Sequence, residues 1–170
     1  MKGLLVSDTS REQTRFPKVP AFISIVCAAL TLGLTLTHVL EIPGQRQLRG
    51  GEFLTVQHTF YGGFAIVGAI SEMTGFIVTV GTLIFVLRNR KDIVQVLTAA
   101  LCFLGTLLSY WFGNRPINAK IALWTPATLP ANWTMYRNHW EYAHSISAGF
   151  SAIALVILLV YVLQHTEPCA

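Results

Sequence analysis

The stretch FLTVQHTFYGGFAIVGAISEMTGFIVTVGTLIFVL, residues 53–87, decides the fold of this chain. It is apolar throughout, and Glu72 is its only formal charge. As one helix it would run about 52 Å, far beyond a hydrocarbon core of about 30 Å. Gly62-Gly63 and Gly68 offer places to break it, since a helical glycine is worse than alanine by about 1 kcal/mol. The preferred reading is an interfacial or re-entrant helix over residues 53–65, followed by a span over residues 70–87. The alternative is a single tilted helix that projects past the bilayer.

Three clean apolar segments surround this stretch. Residues 19–40 carry no formal charge, residues 93–113 carry none, and residues 143–164 carry only His144 at their start. Arg11, Arg15 and Lys18 precede the first. Its apolar run exceeds the roughly 7–15 residues of a cleavable signal, so it reads as an uncleaved signal anchor. The fold class that follows is all-α: an integral membrane four-helix bundle with an extra helix after the first span and a Trp-rich loop before the fourth. A basic tail over residues 1–18, a membrane domain over 19–164 and a short tail over 165–170 divide the chain.

Composition agrees. Hydrophobic residues make up 53% of the 170 and charged residues 12%, against about 25% charged in a soluble domain. A disordered chain, an acidic tail protein and an ordinary cytosolic enzyme are excluded. The 12 basic residues are spread along the sequence and form no nucleic-acid patch. No glycine-rich phosphate loop follows a strand. Cys27 and Cys102 sit in apolar runs as packing residues, Cys169 is misplaced for prenylation, and no C-x-x-C pair occurs.

Four spans put both termini on one side. That side holds Lys2, Arg11, Arg15, Lys18, Arg88, Arg90 and Lys91; the other holds Arg46, Arg49, Arg115, Lys120 and Arg137. The first group crowds the span ends, where the positive-inside rule counts most. Both termini are therefore expected in the cytoplasm, with a bacterial inner membrane as the expected location.

Ionisable groups inside a membrane are retained at a cost of several kcal/mol, which makes their placement informative. His38 and Glu41 end the first span, His58 and Tyr61 follow, Glu72 opens the second span, and Arg137, Glu141 and His144 open the fourth. All belong to the outer end of the bundle. His38-x-x-Glu41 and Glu141-x-x-His144 each put two side chains on one helix face. Glu-x-x-His facing inward is the ligand pattern of carboxylate-bridged metal sites in bundles. His38, Glu41, His58, Glu72, Glu141 and His144 are thus a candidate ligand set for iron or copper. A metal-free catalytic pocket and a merely hydrogen-bonded polar cap are the alternatives. Pro43 also marks a place where the first helix can end before its acid is useful.

The connection over residues 114–140 contains Trp124, Trp133 and Trp140, and Pro116, Pro126 and Pro130 interrupt it. Residues 118–124 read as a short interfacial helical turn, and Asn132 reads as the cap of the last helix. From there Trp133, Arg137, Trp140, Glu141 and His144 form one stripe, continued by Ala148 and Ser151. An aromatic belt explains tryptophans at this depth. Adding Arg, Glu and His to the stripe points to an inward functional face.

NRPIN (114–118), Trp124, Leu129-Pro130, Trp133 and Arg137-x-x-Trp140-x-x-x-His144 closely resemble a family of small four-span membrane proteins that includes the fungal anthrone oxygenases. His38-x-x-Glu41-Ile42-Pro43 and the region of Glu72 resemble it too, and the likeness covers residues 21–162. The resemblance implies the four-span fold. It also implies insertion of oxygen into an electron-rich aromatic, in a family described as needing no added cofactor.

The function expected is an oxygenase or related redox enzyme acting on a lipophilic phenol or quinol. His144 or His58 would serve as general base, Arg137 would stabilise the anion, and Glu141 would orient His144 or Arg137. Trp133 and Trp140 would stack on the ring, with Trp124, Tyr61 and Asn118 beside it. The cofactor is either none or a His/Glu-bound iron or copper. Expected partners are the bilayer and a lipophilic small molecule, with a homo-oligomer or a larger membrane complex as further candidates. The competing class is a non-catalytic subunit or pigment-binding scaffold, packed through Gly62, Gly63, Gly68, Gly75 and Gly81.

Overall fold

A computed structural model describes residues 16–166. Lys2, Arg11 and Arg15 of the basic tail, and Cys169, lie outside the described residues. The elements are α1 (Lys18–Gln45), α2 (Gly50–Phe60), α3 (Gly62–Val86), α4 (Arg90–Ser109), a π-helical stretch (Tyr110–Asn114), α5 (Arg115–Ile121) and α6 (Trp133–Thr166). No strand occurs among the described residues. Four stretches among them are long and apolar enough to cross a membrane: α1, α3, α4 continued through α5, and α6. The chain is an all-helical integral membrane protein.

The decisive stretch breaks once, at Tyr61. Tyr61 is the C-cap of α2 and the N-cap of α3, and the first turn of α3 starts at once, with Ala65 N donating to Tyr61 O at 3.3 Å. A single helix over residues 53–87 is therefore ruled out, and the extra helix is present. Gly62 and Gly63 begin α3 instead of interrupting it. At its other end α2 is closed by Glu52, whose carboxylate accepts from Arg49 N at 2.8 Å and from the Arg49 guanidinium.

Two further boundaries differ from the sequence reading. α1 continues through Pro43 to Gln45; a proline this close to the end removes one intrahelical bond and leaves the last turn intact, with Arg46 N donating to Ile42 O at 3.0 Å. Pro116 sits in the first turn of α5, where its missing N–H is tolerated, so the third helix carries on past residue 113. α6 starts at Trp133, directly after Asn132 as the sequence reading places it, and ten residues before the apolar run. It then runs for 34 residues, about 51 Å.

Consecutive spans are neighbours, and the fourth closes on the first: α1 packs on α3 and α6, and α4 packs on the same two. The middle of the bundle is filled by Cys27, Ala28, Ala99, Cys102, Phe103, Ala154 and Leu158. Such small residues allow close helix approach where lipid gives no hydrophobic drive. Hydroxyl rungs link α1 to α3: Thr79 donates to Ser24 at 2.9 Å, and Thr31 and Ser71 pair at 3.1 Å. Ile70, Ile77, Ile84, Leu101, Val156 and Leu163 point outward, which is the arrangement lipid demands. At the end where α1 begins, His165 of α6 reaches Asp92 of α4 at 3.1 Å, with the Phe16 ring stacked on it.

The loop end of the bundle is roofed by α2 and α5. Phe53 and Leu54 pack with Ile117, Ile121 and Trp140, and Trp124, Leu129, Trp133 and Tyr136 fill in around them.

Of the glycines singled out in α3, Gly75 is the tight one. A Cβ there would meet the Phe103 ring and would lie 3.0 Å from Cys27 Cβ, whereas one at Gly62, Gly63 or Gly81 would meet nothing within 4 Å. Gly75→Ala should therefore destabilise the bundle by about 1–3 kcal/mol, the range for overpacking. Gly81→Ala should not. Denaturation of both variants in detergent, followed by circular dichroism, checks the contrast, and equal midpoints would refute it.

Candidate functional site

The site is built where the end of α1 meets the start of α6. Because α1 runs past Pro43, its last residues reach α6. Arg46 Nε and Nη2 donate to Glu141 Oε2 at 3.0 and 2.9 Å. Arg137, one helical turn before Glu141, lies 3.5 Å from Glu141 Oε1 and donates from Nη1 to Gln45 O at 3.3 Å. Its guanidinium also lies 5.1 Å from the Trp133 ring centre. Arg46 is more than half exposed and Glu141 is 2% exposed. A buried carboxylate held between two guanidiniums, one of which caps a helix C-terminus, joins the two helices.

One turn deeper, this junction sets His38 of α1 against His144 of α6, with ring centres 4.3 Å apart. Tyr61, Phe64 and Trp140 close around His38 at 4.7, 5.1 and 4.8 Å. Trp140 lies 4.3 Å from the His144 ring as well. His38 Nδ1 is 3.5 Å from Glu41 Oε2, too far for a hydrogen bond. Nδ1 of His38 and Nδ1 of His144 are both buried without a hydrogen-bond partner among the described residues.

The rings wall a cavity of about 320 Å³, the lower end of the range for ligand sites. Thr31 and Glu72 lie at its deep end, and His58, Gln57 and Ala122 lie toward its mouth. Glu72 is 8% exposed and makes no hydrogen bond or ion pair among the described residues. His58 Nε2 sits 3.0 Å from Ile121 O. A carbonyl only accepts, so Nε2 carries the hydrogen and donates, which leaves Nδ1 as the free acceptor.

The NRPIN motif holds Trp140 in place. Asn114 Nδ2 donates to Trp140 O at 3.1 Å, and Trp140 Nε1 donates to Asn118 Oδ1 at 2.9 Å. The π-helical stretch brings Asn114 to α6, and Gly113 packs directly on Ala143. Ser109 Oγ donates to Ala143 O at 2.8 Å.

Of the residues expected from sequence, His38, His58, Tyr61, Glu72, Asn118, Trp140 and His144 line the cavity. Arg137, Glu141 and Glu41 are outside its lining, and so are Trp124 and Trp133. The carboxylates of Glu41 and Glu141 are engaged elsewhere: Glu141 by the guanidiniums, and Glu41 by Tyr61, whose Oη donates to Oε2 at 2.6 Å. Gln45 Nε2 in turn donates to Tyr61 Oη at 2.7 Å. Trp124 packs edge-on against Tyr136 in the roof. The six proposed metal ligands do not converge, and no group of three or more His, Cys, Asp or Glu able to hold a metal ion is present among the described residues. Phe64, Arg46 and Gln45 escaped the sequence reading as parts of the site. The first is one apolar residue in an apolar run, and the other two follow a proline that argued against a helix.

Tyr61, between the spans, has its hydroxyl held above the ordinary phenol range, first by burial and then by the Glu41 carboxylate.

Glu141→Ala leaves the buried Arg137 without its carboxylate and should destabilise by about 3–5 kcal/mol, while Arg46→Ala, at an exposed guanidinium, should cost clearly less; detergent unfolding midpoints compare them. The raised Tyr61 pKa means that the folded state holds the phenol proton more tightly than the unfolded state does. Its stabilisation is full below the unfolded value of about 10 and is lost as pH rises above it, so Tyr61→Phe should flatten the alkaline fall in stability. An unchanged slope above about pH 10 would contradict this. Comparison of the chain with family models, curated proteins and solved structures finds no match.

Proposed function

We propose that this protein is a membrane oxygenase for a lipophilic phenol or quinol-like aromatic, in keeping with its resemblance to the anthrone oxygenases. The observation that carries the reading is the pair of imidazoles, His38 and His144, facing each other inside an aromatic-walled cavity with an unpartnered Nδ1 on each among the described residues. An aromatic ring would lie in the cavity that Tyr61, Phe64 and Trp140 border, with the two imidazoles in its wall as bases. His144 takes a proton from the activated carbon of the substrate. The carbanion, delocalised into the phenol, passes electrons to O₂ and forms a carbon–oxygen bond. The resulting hydroperoxide loses water, so that one oxygen stays as a new carbonyl and the other leaves: R₂CH₂ plus O₂ gives R₂CO plus H₂O.

The other residues divide by position. His38 stands beside His144, with the Glu41 carboxylate 3.5 Å from its Nδ1 to favour a positive charge when the proton arrives. His58, with Nδ1 free at the mouth, offers a second polar contact. Arg137 and Glu141 act as positioning residues, because they fix α1 against α6 without touching the cavity. Asn114 and Asn118 position Trp140. Both termini are assigned to the cytoplasm, on the charge bias of Lys18, Arg88, Arg90 and Lys91; the cavity then lies in the outer half of a bacterial inner membrane.

Oxygen uptake by the protein in proteoliposomes, with anthrone as substrate, tests the reading. One O₂ should be consumed per anthrone, with one labelled atom from ¹⁸O₂ in the quinone product. His144→Ala should slow uptake by about 10²–10⁴-fold, the usual worth of a general base. Wild-type rates in that variant would reject the base assignment. No uptake by the parent protein, together with co-purification of a fixed partner, would favour the scaffold reading. For topology, a cysteine at Asn89 should be shielded from an impermeant maleimide in intact cells, and a cysteine at Ala127, exposed in the loop before α6, should react.

A further inference from the structure

The cavity is open on one side, and that side faces lipid. Gly62, Ala65, Ala69 and Met73 follow one another on a single face of α3 and line the cavity, yet all four are exposed. Across from them Trp111, also a cavity wall, is 52% exposed, and Met73 is 47% exposed. The seam between these two walls reaches from the start of α3 to Met73, eleven residues on, or about 16 Å along the helix. It therefore descends well into the hydrocarbon layer.

Its cause is the π-helical stretch. Ser109 and Asn114 donate to carbonyls of α6, and Gly113 lies against Ala143. These contacts draw the upper part of the α4 rod toward α6. Lower down, Gly75 of α3 meets Phe103 of α4, so the two helices are closed there and parted above. The side chains flanking the opening are apolar: Ile66, Ile70, Leu108 and Phe112 all point outward. At its inner end stands His38, 4% exposed, with Nδ1 unpartnered among the described residues.

We infer that the site takes an amphiphilic aromatic carrying a long apolar tail, such as an alkyl- or prenyl-substituted phenol or quinol. The head lies against His38 and His144, and the tail leaves through the seam into the bilayer. This inference rests on the cavity being the substrate site, but not on any reaction taking place there. A compact aromatic would leave the seam to lipid acyl chains. A tailed substrate fills it with its own chain and arrives from the membrane, in which it is already dissolved.

The test is binding, read by quenching of tryptophan fluorescence in nanodiscs. Two probes are used, 1,4-naphthoquinone and its 2-decyl derivative, with concentrations taken as mole fraction in the lipid so that simple partitioning is divided out. The decyl probe should bind at least tenfold more tightly than the tail-less one. Ala69→Trp, which plugs the seam, should remove that advantage. Gly81→Trp, lower on α3 where a Cβ meets nothing within 4 Å, should keep it. Equal affinity of the two probes for the parent protein, or a decyl advantage that survives Ala69→Trp, would overturn the inference. Oxygen uptake with anthrone separates this from the catalytic reading: uptake without a tail preference refutes the seam alone, and a tail preference without uptake refutes the oxygenase alone.

Discussion

The carboxylate of Glu141 is the constraint on which the loop end depends. It is almost fully buried in a membrane protein, so it requires compensating charge close by. Arg46 from α1 and Arg137 from its own helix supply it. That requirement keeps α1 helical past Pro43 and fixes how α1 and α6 stand against each other. Once they are fixed, His38 and His144 have to face each other one turn below, and Trp140 has to sit beside both. The cavity is a product of this junction.

The same logic explains which parts of the molecule were legible in the sequence. Four spans could be read because a bilayer imposes length and apolarity on any helix that crosses it. The extra helix could be read because residues 53–87 are too long to be one span. The polar residues that gather at one end, and the inward stripe on α6, were visible as spacing. Helix ends were less visible. Pro43 and Pro116 are breakers by local rule, yet each falls in a terminal turn where the missing N–H matters little. The division of labour among the polar residues was hidden altogether. Sequence spacing puts Arg137, Glu141 and His144 on one face, but only the reach of Arg46 from α1 decides that the first two form a junction and the third a cavity wall. The NRPIN motif could be noticed without being understood, because its meaning lies in two bonds to Trp140 across the bundle.

The two ends of the protein are built from different materials. At the loop end, aromatic rings and imidazoles enclose space, under a roof of two short helices. At the other end, Ala21, Val86, Val96 and Tyr161 pack closely, and the Asp92–His165 contact holds α4 to α6. Between them lies a middle of alanine and cysteine with Phe103 and Leu158. This contrast between the two ends suits the proposal that a guest enters through the upper wall.

The hydroxyl rungs between α1 and α3 bear on how the protein is made. α1 is synthesised before α3, so Ser24 and Thr31 reach lipid before Thr79 and Ser71 exist. A lone hydroxyl can meanwhile turn back to a carbonyl of its own helix, as Thr35 does to Thr31 O at 2.8 Å, and wait at little penalty. When α3 follows, the rungs form across the interface, and Ser71 keeps its own bond to Gly68 O at 3.0 Å. Two helices separated by a short amphipathic segment can thus zip together in order of synthesis, before α4 and α6 arrive to complete the ring.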